Sequence, residues 1–178
     1  MEITESIFRE YDIRGTYPDQ INEEVVKKIA VAISLKCQQD QVAEICIGRD
    51  GRLSGKSLLN SLSEGLSENG INVTNLGLVT TPLLYYGAKK SKSKSGVMIT
   101  GSHNPKNYNG IKLVINDKPV SGKEIFNLIK HKKDISSSPG KIISKDIKED
   151  YILEVTKNIK INKDKKIKLV IDCGNGAA

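Results

Sequence analysis

The chain has 178 residues, enough for one domain of ordinary size with its own hydrophobic core. Its 38% hydrophobic and 28% charged residues are typical of a soluble globular protein, and the absence of an apolar leader or of a run of about 18 apolar residues argues against secretion and a membrane span. The net charge of +7 is spread along the chain and aromatic residues make up 4%, so a solvated lysine surface is favoured over a nucleic-acid-binding one.

The first 40 residues combine a loop and a helix. Residues 11 to 20 read as a loop, because Gly15 and Pro18 interrupt any periodic pattern. Asn22 then caps a helix whose apolar side chains recur at helical spacing, at Val25, Ile29 and Ile33.

A strand and a second helix follow. Residues 45 to 47 predict a buried strand that ends at Gly48, which places Arg49, Asp50 and Arg52 in the loop after it. A helix begins near Ser54, and its leucines lie on one side, at Leu58, Leu59, Leu62 and Leu66. Gly70 lies just past its end, as a C-terminal glycine should.

The alternation of strands and helices continues along the chain. We predict a strand over residues 71–76, a short helix after Pro82, a buried strand over residues 96–99, and a helix that the Ser121-x-x-Glu124 capping box opens. This order predicts an α/β fold with a mostly parallel sheet and helices on both faces. Ligands bind beyond the carboxyl ends of such strands, and the loops after residues 48 and 99 both leave from that edge.

All four arginines fall in two short segments, whereas the remaining 24 basic residues are lysines. They are Arg9, Arg14, Arg49 and Arg52. Because the planar guanidinium group binds phosphate or carboxylate through two parallel hydrogen bonds, these positions indicate a need for that geometry.

Chemically reactive side chains gather in residues 100–112, T-G-S-H-N-P-K-N-Y-N-G-I-K, which form a loop and the start of the strand after it. The loop carries the Ser102 hydroxyl, the His103 imidazole and the Asn104 amide, and Lys112 lies on the strand that returns from it. The dipeptide at residues 109–110, Asn-Gly, predicts the tight turn into that strand. By itself this chemistry also fits a polar loop with a lysine that extends to solvent.

Three segments together resemble one family, the α-D-phosphohexomutases (phosphoglucomutase/phosphomannomutase). Residues 100–112 resemble its active-site serine loop, F-R-E-Y-D-I-R-G at 8–15 resembles its N-terminal motif in the bacterial phosphomannomutase/phosphoglucomutase form, and G-R-D-G-R-L-S at 48–54 resembles a third element. They occur in family order, and the resemblance extends from about Ile7 to Ala178. It implies a three-layer α/β/α first domain with a mostly parallel mixed sheet.

The resemblance implies a phosphoserine enzyme that interconverts hexose 1-phosphate and 6-phosphate, of glucose or mannose, through a bisphosphorylated sugar. Ser102 would carry the phosphoryl group, and Lys112 would be the general acid and base for the sugar hydroxyl. Mg²⁺ would bind a phosphate oxygen on Ser102 together with three carboxylates of a D-G-D-G-D-R loop, in keeping with its preference for oxygen ligands.

The family also implies roles for side chains around the serine. Arg14 and Tyr11 would position the phosphoserine and the reacting oxygen. His103 and Asn104 would orient the loop, with His103 at the phosphate as a catalytic residue or, alternatively, purely structural. The expected catalytic residues are thus Ser102, Lys112, Arg14 and His103, and the expected substrate-binding residues are Tyr11, Asn104 and Asn109.

We expect two domains. The linker composition of residues 136–140 divides residues 1–140, the first domain, from residues 141–178, a shortened beginning of the second. The second part has a helical pattern over residues 147–159 and an apolar strand over residues 167–171, followed by a glycine turn that should open a helix. The sequence contains no D-G-D-G-D-R loop and no sugar-selecting loop, so we expect no useful mutase turnover from these 178 residues alone.

Two alternatives and several open points accompany this interpretation. Residues 51–57 resemble a P-loop but have three residues between the glycines instead of four, so a nucleotide site is rejected. The second function class is a non-catalytic phosphoacceptor or protein-interaction module that retains the fold. We also expect an ion pair of Arg49 with Asp50 at the base of the loop that follows the strand over residues 45–47. The expected location is the cytoplasm. The choice between glucose and mannose phosphates and the oligomeric state stay open.

The three cysteines are scattered without a C-x-x-C pair, at Cys37, Cys46 and Cys173. Their odd number and spacing indicate neither a disulfide framework nor a zinc site.

Overall fold

The computed structural model describes residues 3–131, 138–160, 162, 164, 166–174 and 176. Its strands are β1 (Ile13–Thr16), β2 (Glu44–Arg49), β3 (Asn72–Leu78), β4 (Gly96–Ile99), β5 (Tyr108–Ile115), β6 (Lys118–Pro119) and β7 (Ile142–Ser144). Its helices are α1 (Glu23–Gln39), α2 (Gly55–Glu68), α3 (Thr81–Lys90), α4 (Gly122–Lys130) and α5 (Lys148–Thr156), and a 3₁₀ turn (Glu5–Ile7) precedes β1.

The strands form a seven-stranded mixed sheet in the order β1-β5-β4-β2-β3-β7, with β6 beside β5. Strands β4, β2, β3 and β7 pair in parallel, whereas β5 pairs antiparallel with β4, β1 and β6. Among the described strands, β5 therefore runs against a common direction. The predicted mostly parallel sheet is confirmed, and the serine loop connects the two strands of a β4–β5 hairpin.

Alternation along the strands supplies a core on each face of the sheet. On β2, Ile45 and Ile47 belong to the larger apolar cluster with α1, α2 and α4, while Cys46 belongs to a second cluster with α3. Successive side chains of a strand point to opposite faces, so a central strand with both faces covered is apolar throughout. The result is the three-layer α/β/α arrangement.

Local capping signals fix the helix starts as predicted. The Asn22 side chain accepts a hydrogen bond from the Val25 N–H (3.0 Å), and the Ser121 hydroxyl accepts one from the Glu124 N–H (3.1 Å). The apolar stripes of α1 and α2 are buried, and Gly70 has a φ of +84° just past α2. No helix within the described residues combines the length and apolarity needed to cross a bilayer.

Two strand ends differ from the prediction. Strand β2 continues through Arg49 instead of ending at Gly48, and its pairing with β3 shifts register between Ile47 and Arg49. Strand β3 extends two residues beyond residue 76 to Leu78. Both strands are longer than the apolar pattern indicated, because Arg49 at the end of β2 and Leu78 at the end of β3 still pair with each other.

The predicted tight turn at Asn109-Gly110 is wrong, because both residues lie within β5. Asn109 is opposite Gly15 and Gly110 is opposite Arg14 on β1. A Cβ atom at position 110 would lie 2.3 Å from the Ile13 carbonyl oxygen, so glycine is needed for the close approach of two strands.

The sheet continues past the predicted domain boundary. Strand β7 pairs with β3, and the Ser67 hydroxyl donates to the Gly140 carbonyl at 2.7 Å. Helix α5 is shorter than predicted and packs on α3 through Tyr151, whose ring lies 5.5 Å from that of Tyr86. Residues 136 and 137 of the predicted linker lie outside the described residues, and the division at residue 140 stays a prediction.

The predicted strand over residues 167–171 is wrong for the described structure. These residues have no regular secondary structure, and their apolar side chains are exposed, at Ile167, Leu169, Val170 and Ile171. No described strand lies alongside to supply ladder hydrogen bonds. Gly174 does form a turn, with a φ of +54°, but of residues 175–178, where a helix was expected, the structure describes Gly176 alone.

The environments of the cysteines predict their reactivity. Burial raises the pKa of Cys37 to about 12 and raises the pKa of Cys46, whereas Cys173 is exposed. Because the thiolate is the nucleophile, we expect iodoacetamide at pH 8 to add one label to the native protein, at Cys173, and three after unfolding. Intact mass and peptide mapping measure this; rapid native labelling of Cys37 would contradict the packing of α1.

Candidate functional site

The serine loop occupies residues 100–107, between the carboxyl end of β4 and the start of β5. The Thr100 N–H donates to the Gly110 carbonyl (2.9 Å), and the Asp50 N–H donates to the Ile99 carbonyl (3.0 Å). The loop after β2 therefore lies directly beside the serine loop. The prediction that both lie at the same edge of the sheet is confirmed.

The Arg52 side chain binds backbone carbonyls of the serine loop and of the first residue of β5. Its Nη1 donates to the carbonyls of Pro105 (2.6 Å) and Tyr108 (2.9 Å), and its Nη2 donates to those of Asn104 (2.6 Å) and Ser102 (3.1 Å). The side chain is 13% exposed. One guanidinium thus binds four carbonyl groups, of which that of Pro105 also accepts from the Tyr108 N–H at 3.0 Å.

The Asp50 carboxylate binds the first two residues of the same loop. One carboxylate oxygen, Oδ2, accepts hydrogen bonds from the Thr100 hydroxyl (2.7 Å) and the Gly101 N–H (3.2 Å), and it lies 3.4 Å from Arg52 Nε. The other oxygen accepts from the Arg52 N–H (3.0 Å). The predicted ion pair at the loop base exists, but Arg52 makes it, not Arg49. Arg49 donates instead to the Asp50 carbonyl (2.9 Å).

Ser102 is exposed and has a left-handed backbone, with a φ of +54°. Its N–H donates to the Thr100 hydroxyl at 2.9 Å. Such a conformation is uncommon for a residue with a side chain and costs about 1–2 kcal/mol. Its presence at an exposed hydroxyl marks Ser102 as a candidate functional residue.

Arg14 and Lys112 lie on one face of the sheet near the start of this loop. Arg14 is opposite Gly110, whose carbonyl accepts from Thr100, and Lys112 lies two residues further along β5 on the same face. Lys112 is half-buried and opposite Met98, and the side chain of Arg14 is 12% exposed and ion-paired with Asp12. The fold thus brings the two predicted cations to one face of two paired strands, β1 and β5, of which β5 follows the serine loop.

The other predicted side chains divide into exposed and structural ones. Tyr11 is 84% exposed, and His103 is exposed on the loop. Asn104 closes the turn, because its N–H and its Nδ2 both donate to the Gly101 carbonyl at 3.0 Å. These two hydrogen bonds hold the turn closed, and the predicted role of Asn104 at the substrate stays a prediction.

Asn109 does not reach solvent, which argues against its predicted contact with substrate. The residue is 0% exposed, its Nδ2 donates to the Ser54 hydroxyl (2.8 Å), and its Oδ1 accepts from the Gly110 N–H (2.9 Å). Both ends of the amide are therefore engaged inside the protein. Its position assigns it the structural task of joining β5 to the start of α2.

The end of the loop is also held. The Tyr17 N–H donates to the Asn107 carbonyl at 2.7 Å, and the Tyr17 hydroxyl donates to Glu23 Oε1 at 3.1 Å. A hydrogen bond from Ser57, aided by that of Tyr17, holds the pKa of Glu23 below its usual value. The N-terminal segment, α1 and α2 thus meet behind the serine loop.

The described residues do not form a complete metal site. Among residues 3–131 and the described part beyond them, no group of three or more His, Cys, Asp or Glu side chains is arranged to hold a metal ion. The carboxylate beside the loop, that of Asp50, already accepts from Thr100, Gly101 and Arg52. These residues therefore do not by themselves fit a bound Mg²⁺.

The sequence did not predict the contacts that Arg52 and Thr100 make at the serine loop. The clustering of arginines was the available signal, but it indicated phosphate as the partner, whereas the Arg52 guanidinium binds backbone carbonyls. Thr100 gave no sequence signal, since its hydroxyl is linked to Asp50, 50 residues earlier in the chain.

The described chain is a three-layer α/β/α fold with an exposed serine on a loop at the carboxyl edge of a mixed sheet. Residues 5–138 match the family model described as phosphoglucomutase/phosphomannomutase, alpha/beta/alpha domain I. The chain belongs to the phosphoglucomutase/phosphomannomutase family.

Individual relatives agree with this assignment. The chain is 41% identical over 178 residues to a phosphomannomutase/phosphoglucomutase of Pseudomonas putida and 39% identical to a phosphoglucomutase of Neisseria meningitidis. It covers 38% of the length of each, while 99% and 98% of this chain are matched. A solved structure of a phosphoglucomutase/phosphomannomutase family protein from Burkholderia thailandensis superposes with a TM-score of 0.84 at 28% identity, covering 91% of this chain and 38% of that one.

Proposed function

We propose that this chain supplies the phosphoserine of a phosphohexomutase that interconverts hexose 1-phosphate and hexose 6-phosphate, of glucose or mannose. The observation that carries the proposal is the geometry of Ser102, an exposed hydroxyl on a left-handed residue in a loop that Arg52 and Asp50 hold in place. Phosphoryl transfer depends mainly on position and charge, and this loop provides position.

The proposed transfer conserves atoms and protons. The phosphoryl group on Ser102 Oγ passes to the free hydroxyl oxygen of the hexose phosphate, so the serine P–O bond breaks and a sugar P–O bond forms. The proton of that sugar hydroxyl passes to Lys112 acting as a base and from there to the departing Ser102 Oγ, which leaves as a hydroxyl. When the bisphosphorylated sugar returns its other phosphoryl group to Ser102, the serine hydroxyl proton passes back through Lys112 to the sugar oxygen that is released.

Neighbouring side chains position the reacting groups in this proposal. The Arg14 guanidinium and the Tyr11 hydroxyl bind the phosphoserine and the reacting oxygen. His103 contacts the phosphate, and Asn104 holds the turn that presents it. The support is the shared sheet face of Arg14 and Lys112 and the exposure of Tyr11 and His103.

We also propose the family's Mg²⁺ as cofactor, with a phosphate oxygen on Ser102 as one ligand, and residues 1–140 as the unit that carries the serine. A divalent cation would offset negative charge on the transferring group. No step above depends on it.

The proposal predicts stoichiometric phosphorylation of Ser102. After incubation with glucose 1,6-bisphosphate and Mg²⁺, intact mass should show one added phosphate, located by peptide mapping at Ser102. Ser102→Ala should abolish the addition, because it removes the acceptor oxygen, whereas Ser144→Ala, which alters an exposed serine on β7, should leave it unchanged.

The opposite result is equally informative. The proposed reaction is contradicted if the chain stays unmodified under these conditions. It is also contradicted if the Ser102→Ala variant takes up as much phosphate as the parent chain. An unmodified chain would favour the alternative of a protein-interaction module.

A further inference from the structure

The backbone of Ser102 is held from both sides. Its N–H donates to the Thr100 hydroxyl (2.9 Å), and its carbonyl accepts from Arg52 Nη2 (3.1 Å). Hydrogen bonds on both polar groups of one residue restrict its two backbone dihedral angles, so a conformation that is costly in isolation is stabilised here.

The two groups that hold Ser102 share one anchor. The Thr100 hydroxyl donates to Asp50 Oδ2 at 2.7 Å, and Arg52 Nε lies 3.4 Å from the same oxygen. The Thr100 hydroxyl therefore uses its proton on Asp50 and a lone pair on Ser102, which fixes its orientation. Thr100 is 7% exposed, so water competes little for these bonds.

We propose that Thr100 is a positioning residue for the serine nucleophile: linked to Asp50, its hydroxyl imposes the left-handed conformation of Ser102 and so sets the place of the Ser102 Oγ. This inference deepens the proposed function and rests on it for its catalytic meaning. The conformational part stands on the hydrogen bonds alone. Loss of the Thr100 hydroxyl frees the Ser102 N–H and leaves Asp50 Oδ2 with one donor fewer.

The test compares two substitutions at position 100. Thr100→Val keeps the shape and the β-branch but has no hydroxyl, and Thr100→Ser keeps the hydroxyl. We expect Thr100→Val to raise the amide exchange rate of Ser102 about tenfold, the equivalent of one lost hydrogen bond, and to change the Ser102 HN–Hα coupling. Thr100→Ser should stay within about twofold of the parent chain. Both are measured by NMR on the 178-residue chain.

A second measurement on the same proteins tests the catalytic part. The rate of phosphate uptake from glucose 1,6-bisphosphate should fall about tenfold in Thr100→Val and recover in Thr100→Ser, while the urea midpoints of both stay close together. If Thr100 only stabilised the fold, loss of its hydroxyl would lower the urea midpoint without a change in the amide exchange rate or the HN–Hα coupling of Ser102. Thr100→Ala replaces Thr100→Val if the valine variant does not fold.

The outcomes separate the two claims. If Ser102 keeps its coupling and its slow exchange in the variant without a hydroxyl, the positioning role is overturned. If those NMR signals change but no form of the chain takes up phosphate, the positioning of the backbone holds and the proposed reaction fails. Equal phosphate uptake by the valine and serine variants overturns the catalytic role of Thr100.

Discussion

Replacement of Arg52 by lysine is expected to slow phosphate uptake by Ser102 about a hundredfold. The guanidinium of Arg52 serves four carbonyl groups, whereas an ammonium at the end of a flexible chain can serve one or two of them at a time. Charged hydrogen bonds contribute about 1.5–3 kcal/mol each, so two lost bonds account for about 3 kcal/mol, or roughly a hundredfold. The rate is measured by intact mass over time.

Amide hydrogen exchange of residues 101–108 provides the parallel structural readout for Arg52→Lys. These amides should exchange faster, while those of β2 and β4 keep their protection. Lys56→Ala is the control for charge, since it removes an exposed cation four residues away that does not hold the loop. In Arg52→Ala, low concentrations of free guanidinium should restore part of the uptake. Unaltered exchange in the loop would show that Arg52 does not hold it.

Gly110→Ala is expected to lower the free energy of unfolding by about 3 kcal/mol, because the new Cβ would overlap backbone that cannot move aside. The atom would lie 2.3 Å from the Ile13 carbonyl oxygen and 3.1 Å from that of Thr100. Either β1 separates from β5, or the start of the serine loop shifts. Urea denaturation followed by circular dichroism measures the loss.

Two graded controls show whether a clash causes that effect. Gly77→Ala meets no atom within 4 Å but has a φ of +71°, so it should cost about 1 kcal/mol through backbone strain. Lys106→Ala, on the exposed part of the serine loop, should change stability by less than about 0.5 kcal/mol. If Gly110→Ala unfolds at the same urea concentration as Lys106→Ala, the described approach of β1 to β5 is wrong.

Features that depend on local chemistry could be predicted from the sequence. The caps at Asn22 and Ser121 and the buried strand β4 are specified by neighbouring residues and by hydrophobic period, and the structure contains all of them. The shared edge of the Asp50 and Ser102 loops followed from the general geometry of parallel sheets.

Features that depend on distant partners could not be predicted. The Asn109-Gly110 pair reads locally as a turn, but β1, almost 100 residues earlier, pairs with it and makes it a strand. Arg52, and not Arg49, binds the serine loop through carbonyl groups that lie 50 to 56 residues later in the chain. The apolar run over residues 167–171 has strand character but no described neighbour.

The position of Arg52 under the serine loop also limits which sequence changes the site can accept. A Cβ atom at Gly101 would lie 2.3 Å from Arg52 Cζ, so any larger residue there requires that the arginine first be lost or displaced. Positions 52 and 101 are therefore coupled: a side chain at 101 would displace the Arg52 guanidinium from the carbonyl groups that it binds, and a substitution at 101 should cost less in a chain that lacks the arginine.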